Sequence, residues 1–347
     1  MIRIHFYIYL LLSRLNHGQI MAKVGIRTTQ DHSNEIMDRT KRHLAIETAS
    51  PYIGRFAPTP SGALHLGSLV AALGSYLDAR AHKGVWKVRI DDLDEQRCLP
   101  ATTEQIITQL SAHGLVPDGE IVRQRTRHDI YTEALNRLAD IALTYRCICT
   151  RKQLRDAVKN GRASEGLAGP IYPGTCRERA VAKHEMAGIR FIVPIETIQF
   201  TDRFLGQIEQ SLSTTIGDPI LRRSDDVFAY HLAEVVDNRM MGITHVVRGA
   251  DLSPLTPLHI ALHRALYPDT PPPVYGHLPL VLGSNGLKLS KTNLAPALDS
   301  RRARENLMAA AVHLGLKTPT GQNGIEVMLA DWTEQWAKQY LKTANSR

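Results

Sequence analysis

Two short segments carry residue types suited to phosphate chemistry. In RFAPTPSGALHLGSL, residues 55–69, small and hydroxyl residues surround one imidazole, His65, where a strand pattern gives way to a helical one. A helix starting there directs its first backbone N–H groups out of the end of a sheet, where they attract phosphate. Pro58, Thr59, Gly62, Gly67 and Ser68 let a nucleotide approach the backbone closely, and His65 can donate to a phosphate oxygen. The second segment, GLKLSKT at 286–292, sets Lys288 and Lys291 on either side of Leu289 and Ser290. Lysine is a mobile point charge suited to a transferring phosphoryl group. A third pattern, Cys147-x-Cys149 in YRCICT with Cys176 in YPGTCR, is a thiol set that a metal can use, with buried unligated cysteines as the other reading.

The elements that must position these residues follow from periodicity. YIGRFA reads as a strand, HLGSLVAALGSYLDARAHKG as a helix and VWKVRI as a second strand. Helices are expected over 102–113 and 127–144, and strands at GIRFIVP, YHLAEVVD and ITHVVRG. This alternation argues for an α/β fold with a parallel sheet. LPLVLGSNGLKLS reads as a hairpin turning at Asn285-Gly286, YPDTPPPVYG as a connecting loop, and 299–341 as helices.

Composition narrows the partner. The 347 residues carry 42 Lys and Arg against 34 Asp and Glu, a formal net charge of +8, which favours a polyanion such as nucleic acid. Arg222, Arg223, Arg301, Arg302 and Arg304 are candidates to line an RNA path. Four cysteines are too few for a disulfide-stapled secreted chain, so the expectation is a reducing cytoplasm. HFYIYLLL is too short to cross a bilayer as a helix, and no membrane partner is expected. Residues 1–50, with further methionines at 21 and 37, are expected to be a poorly ordered extension or an over-long start assignment.

HLGS and KLSKT together resemble the two signatures of the class I aminoacyl-tRNA synthetases. GRFAPTPSGALHLGSL, VRIDDLD, FTDRFLG, YHLAEVVDN and THVVRGADL resemble the catalytic domain of the glutamyl and glutaminyl members, over about residues 53–298. The stretch after Thr292 is too short for their anticodon-binding region. The remaining match is the stand-alone glutamyl-Q tRNA(Asp) synthetase family, which attaches glutamate to the queuosine base of tRNA(Asp).

That resemblance implies a Rossmann-like parallel sheet over 51–298, a zinc-binding insertion at about 145–180, a helical segment over 299–347 and no anticodon-binding domain. It implies Cys147, Cys149, Tyr172 and Cys176 as zinc ligands, although RKQLRDAVKNGRASEGLAGP lengthens the insertion between them. His65 and Lys291 would be catalytic, and Pro58, Thr59, Gly62, Gly67, Ser68, Lys288 and Ser290 would join them around ATP with its Mg²⁺. Arg55, Phe56, Ala57, Pro58, Thr59, Asp91, Tyr230 and Arg248 would bind L-glutamate, the two guanidinium groups taking carboxylates and Asp91 with Tyr230 taking the amine. The glutamate-specific relatives have IED where this chain has IDD, so glutamine stays open as a substrate. A monomer is expected. The rival readings are a shortened glutamyl- or glutaminyl-tRNA synthetase charging the terminal ribose, a non-catalytic tRNA-binding paralogue, and a nucleotidyltransferase acting on a small acid.

Overall fold

Each strand near the chain's start is followed by a helix that returns it to a parallel partner. The computed structural model describes residues 51–341, except 168, 284, 285, 287, 290–294, 320 and 322. The extension expected over 1–50 and two site candidates, Ser290 and Lys291, lie outside the described residues. β1 (Ile53–Phe56), α1 (Leu66–Ala81), β2 (Val85–Ile90), α2 (Pro100–Ala112) and β3 (Val122–Arg123) come first. β1 pairs with β2 in parallel, Arg55 opposite Lys87, and β2 pairs with β3 in parallel.

α3 (His128–Asp140) leads to β4 (Thr144–Cys147), α4 (Arg151–Lys159), the short hairpin β5 (Glu165–Gly166) and β6 (Gly169–Pro170), and then β7 (Gly188–Phe191). β8 (Ile198–Asp202) and β9 (Gly206–Gln210) make a second hairpin before α5 (Leu212–Thr215) and β10 (Ile220–Arg222). β4, β7 and β10 form an antiparallel sheet with β7 in the middle. The chain then returns through α6 (Tyr230–Met240), β11 (His245–Gly249), α7 (Thr256–Leu266) and β12 (Val274–Leu278), closing with α8 (Ala303–His313) and α9 (Ile325–Tyr340). β11 and β12 are parallel, and Thr244 ties this pair to β1, its N–H donating to Ile53 O at 2.9 Å.

YHLAEVVD is a helix, α6, where the sequence reading expects a strand. Its two consecutive valines favour a strand, yet Tyr230, Glu234, Asp237 and Asn238 recur at three- and four-residue spacing, so only a helix presents them together. The last residues of the expected loop YPDTPPPVYG belong to β12, which starts at Val274. Leu282 and Lys288 form an antiparallel bridge, as the expected hairpin requires, and Gly286 has a φ of 73°, while Asn285 of the expected turn lies outside the described residues.

α1 is the central helix of one core. Leu69, Leu73 and Leu77 are buried on it together with Trp86 of β2, Leu307 of α8, and Trp332 and Trp336 of α9. Gly74 allows α1 to lie against β12, since a Cβ there would fall 2.5 Å from Leu278 Cδ1. One acid fastens the far end of α1: Asp78, fully buried, accepts from Tyr52 Oη, from both Arg203 Nη atoms and from Trp336 Nε1 at 2.9 Å. Burial opposes its charge, but Arg203 outweighs that and holds its pKa below the usual carboxylate value. Asp78→Ala leaves the Tyr52 hydroxyl, the Arg203 guanidinium and the Trp336 indole N–H without their shared acceptor. Urea unfolding should show a loss of about 3–5 kcal/mol, and a loss under about 1 kcal/mol would mean that packing alone holds α9 on α1.

Candidate active site

His65 caps α1 by folding back on it. Its backbone is extended, and its Nδ1 accepts the Ser68 N–H at 3.3 Å. One of the orphan donors at this helix end is thus met by the imidazole rather than directed at a ligand. Gly67 is small for a reason: a Cβ would lie 3.1 Å from His65 Cε1 and 3.5 Å from Leu289 O. Leu289 therefore passes directly over the start of α1.

Between them lies a cavity of about 340 Å³. It is lined by Arg55, Phe56, Ala57, Pro58, Thr59, His65, Gly67, Ser68, Tyr230, Arg248 and Lys288, so most of the ATP and glutamate candidates meet here. Gly62 is in the loop leading to α1 and does not line the cavity. Asp251 is its one carboxylate among the described residues, and Lys288 Nζ is paired with it. A second, larger cleft of about 1020 Å³ is lined by Asp91, the metal-candidate cysteines Cys147 and Cys149, and residues of α4 and β7. The two share Thr59 and Tyr230.

The wall between them is a buried charge cluster organised by Glu234, a residue the sequence reading did not single out. Glu234 is fully buried one helical turn after Tyr230. It accepts from Arg55 Nη2 at 2.7 Å, from Arg89 Nη2, from Arg248 Nη1 at 3.4 Å and from Asn238 Nδ2 at 3.1 Å. Burial penalises its charge, but the guanidinium groups of Arg55, Arg89 and Arg248 prevail and hold its pKa well below the ordinary range. Helical spacing of Tyr230, Glu234 and Asn238 was the signal in the sequence that could have found it.

Arg248 is saturated by the protein. Nε donates to His277 Nε2 (3.1 Å), Nη1 to Tyr230 Oη (3.2 Å), and Nη2 to Thr256 Oγ1 (2.8 Å) and His259 Nδ1 (3.2 Å). Asp202, bonded to His277 Nδ1 at 2.6 Å, orients that ring. Burial keeps His277 and His259 below the usual histidine pKa, so both accept from Arg248 as neutral rings. Arg55 is less committed: beyond Glu234 its Nη1 reaches Val247 O at 3.3 Å, and its buried Nε has no partner.

Asp91 receives Arg89 Nε at 2.6 Å and Nη2 at 3.0 Å. Burial pushes its pKa up to about 6, with Arg89 opposing and Glu234 and Asp237 adding to the rise. Asp237 is itself fixed by Gln124, Arg127 and Tyr131. Four guanidinium groups, of Arg55, Arg89, Arg127 and Arg248, thus face three carboxylates, and all of these side chains but that of Arg127 are buried.

The cysteine candidates also converge. The Sγ atoms of Cys147, Cys149 and Cys176 lie within 4.8 Å of one another, with Cys149 and Cys176 3.6 Å apart. Tyr172 Oη lies 3.4 Å from Cys147 Sγ and 3.5 Å from Cys149 Sγ. Tetrahedral coordination at zinc-like bond lengths puts sulfurs about 3.8 Å apart and an oxygen about 3.5 Å from each sulfur. The four donors therefore fit a tetrahedral metal, the lengthened insertion forming α4 and the β5–β6 hairpin without displacing them.

Comparison with known proteins places this geometry. The family described as tRNA synthetases class I (E and Q), catalytic domain, matches residues 53–325. A Glutamyl-Q tRNA(Asp) synthetase of Janthinobacterium sp. (strain Marseille) is 45% identical over 296 residues, 83% of this chain and 99% of the relative. One from Synechococcus sp. is 46% identical, covering 79% of this chain and 90% of the relative. A glutamate tRNA ligase from Elizabethkingia meningosepticum, solved in complex with its amino acid, is 26% identical with a TM-score of 0.66. The alignment covers 82% of this chain and 64% of that one. The chain belongs to the class I (E and Q) tRNA synthetase catalytic-domain family, a family of ligases.

Proposed function

We propose that the chain activates L-glutamate with ATP and transfers the glutamyl group to the queuosine base of tRNA(Asp), as the names of its relatives suggest. The observation that carries this reading is the meeting of two cavities at Thr59 and Tyr230. An acyl group activated in the first is open there to a hydroxyl arriving through the second.

In the first step a glutamate carboxylate oxygen bonds to the α-phosphorus of ATP and pyrophosphate leaves. In the second an acceptor hydroxyl bonds to the acyl carbon, AMP leaves with the bonding electrons, and the hydroxyl proton is released. Positioning and charge do this work. The start of α1 with His65, Gly67 and Ser68, together with Pro58, Thr59 and Gly62 of the loop before it, cradles the phosphates. Lys288 and the KLSKT residues Ser290 and Lys291 complement the charge on the departing pyrophosphate. Mg²⁺ enters with ATP and is held through its phosphates, consistent with a cavity in which Asp251, the one carboxylate among the described lining residues, is already paired to Lys288.

Arg55, with uncommitted N–H groups, takes a glutamate carboxylate, and Phe56 and Ala57 shape the pocket floor. Arg248, its N–H groups taken up by the protein, acts on the glutamate through its positive charge and by holding the Tyr230 hydroxyl in place. Asp91 and Tyr230 receive the α-ammonium. Zinc at Cys147, Cys149, Tyr172 and Cys176 braces the wall of the second cleft. Residues 51–298 act as the catalytic domain and 299–347 as its C-terminal helical segment, in a cytoplasmic monomer.

The reading is tested by exchange of labelled pyrophosphate into ATP. Exchange with glutamate but not glutamine, in the absence of RNA, is expected. Exchange that requires tRNA would instead indicate a shortened tRNA-charging enzyme, and exchange with glutamine would reassign the amino acid. Asp91 must be ionised to hold an ammonium, and its pKa is pushed up to about 6. The glutamate KM should therefore be flat above neutrality and climb as pH falls through about 6. In Asp91→Asn that acid limb should vanish and KM should be high throughout. For the metal, dialysis against a chelator should release about one zinc per chain and lower the melting temperature; a metal-free chain as isolated, with unchanged melting, would count against the site.

A further inference from the structure

When a hydroxyl adds to an activated acyl carbon, the carbonyl electron pair moves onto oxygen, and that negative charge has to be held until AMP leaves. None of the roles assigned above meets it.

His231, the second residue of α6, has the proton placement to do so. A guanidinium has no lone pair to offer, so Arg248 Nη2 donates to His259 Nδ1 at 3.2 Å and leaves that nitrogen without a proton of its own. Burial keeps His259 neutral, so its proton is on Nε2, which donates to His231 Nδ1 at 3.3 Å. Burial and the charge of Arg248 push the His231 pKa down to about 4, so this ring is neutral as well and its own proton is on Nε2. Arg248 thus sets the tautomer of His231 through one intervening ring. With Nδ1 taken and Nε2 protonated, His231 can donate but cannot act as a base. No described residue accepts from its Nε2, and the side chain is part-exposed and lines the second cleft.

Its position matches the acyl group. The His231 ring centroid is 5.8 Å from that of Tyr230, and both residues line the second cleft together with Asp91. Asp91 and Tyr230 receive the α-ammonium in the reading above, and the α-carboxyl carbon of an amino acid is only about 2.5 Å from its nitrogen. The activated carbonyl is therefore brought to the same end of the cleft as His231.

We propose that His231 is a catalytic residue of the transfer step, its Nε2–H donating to the acyl oxygen as the acceptor hydroxyl oxygen bonds to the acyl carbon. The carbonyl pair moves onto the acyl oxygen and returns as AMP departs with the electrons of the acyl–phosphate bond, and the hydroxyl proton goes to water. A neutral donor gains most when that oxygen is charged, so it favours the transition state over the bound adenylate. This role rests on the glutamyl transfer proposed above.

The test compares two half-reactions of the full chain: glutamate-dependent pyrophosphate exchange, and single-turnover transfer from enzyme-bound glutamyl-adenylate to saturating tRNA(Asp) carrying queuosine. His231→Ala should lower the transfer rate about a hundredfold, and by at least about tenfold more than it lowers exchange. His231→Gln, whose amide can donate, should recover part of the loss. Equal losses in both half-reactions, or no loss in transfer, overturn the role. A defect confined to tRNA affinity makes His231 an RNA contact and overturns it too. Independently of turnover, ring-nitrogen NMR spectra of the wild-type chain, assigned with His231→Gln, should show Nε2 protonated and Nδ1 bare; the opposite tautomer overturns the proposal. No exchange by the wild-type chain would remove the activity proposed above and this role with it, whereas normal wild-type exchange and transfer with equal losses in the variant remove the role alone.

Discussion

Glu234 is the charge around which the site is built. A carboxylate with no solvent access is tolerable only if cations surround it, and here Arg55, Arg89 and Arg248 come from three different strands to do so. Each guanidinium would be as costly without the acid as the acid would be without them. The cluster therefore fixes the relative positions of β1, β2, β11 and α6 more strictly than apolar packing could, since a shift of one residue in any strand would leave a buried ion alone. It also explains why Arg248 and Asp91 face different cavities yet stand close to the same acid, Glu234.

The surrounding polar groups extend that order outward. Asp202 sets the ring of His277, His277 accepts from Arg248, and Arg248 holds the Tyr230 hydroxyl, so a residue on the β8–β9 hairpin orients a group at the mouth of the cavity. On the other side Asp91, Arg89 and Asp237 connect to Gln124, Arg127 and Tyr131. The cavity wall is consequently stiff where an amino acid would be measured. The side at the start of α1 is built differently, from a loop, a helix start and a hairpin that meet through the absent side chain of Gly67.

Much of this was legible before any coordinates. β1, α1 and β2 have clean periodicity, and the loop candidates Pro58, Thr59, His65, Gly67 and Ser68 fell where a strand-to-helix turn puts them. The thiols were legible as a set from their residue type, whereas Tyr172 joined them only through the family resemblance, because that contact spans an insertion whose path depends on tertiary packing. α6 was misread because Val235 and Val236 carry a local strand preference that the polar periodicity overrides only once its partners are known. Glu234 was missed for the same reason: a buried acid is recognisable by the arginines around it, and those lie far off in sequence. His259 and His277 gave no local signal either, since their role is to accept from a single guanidinium.

The hydrogen bond from Arg55 to Val247 joins residues 192 positions apart, and β1 meets β11 only after almost the entire catalytic fold has been threaded between them. Contacts of such long range carry a large loop-closure entropy and form late. Until they form, the ions of the site remain hydrated and mutually distant, and nothing local can assemble them in advance. A nascent chain emerging from the ribosome would thus display the loop before α1 long before it possessed the Arg55–Glu234–Arg248 cluster. Competence to select a substrate should arrive in a single late event, coincident with completion of the parallel sheet.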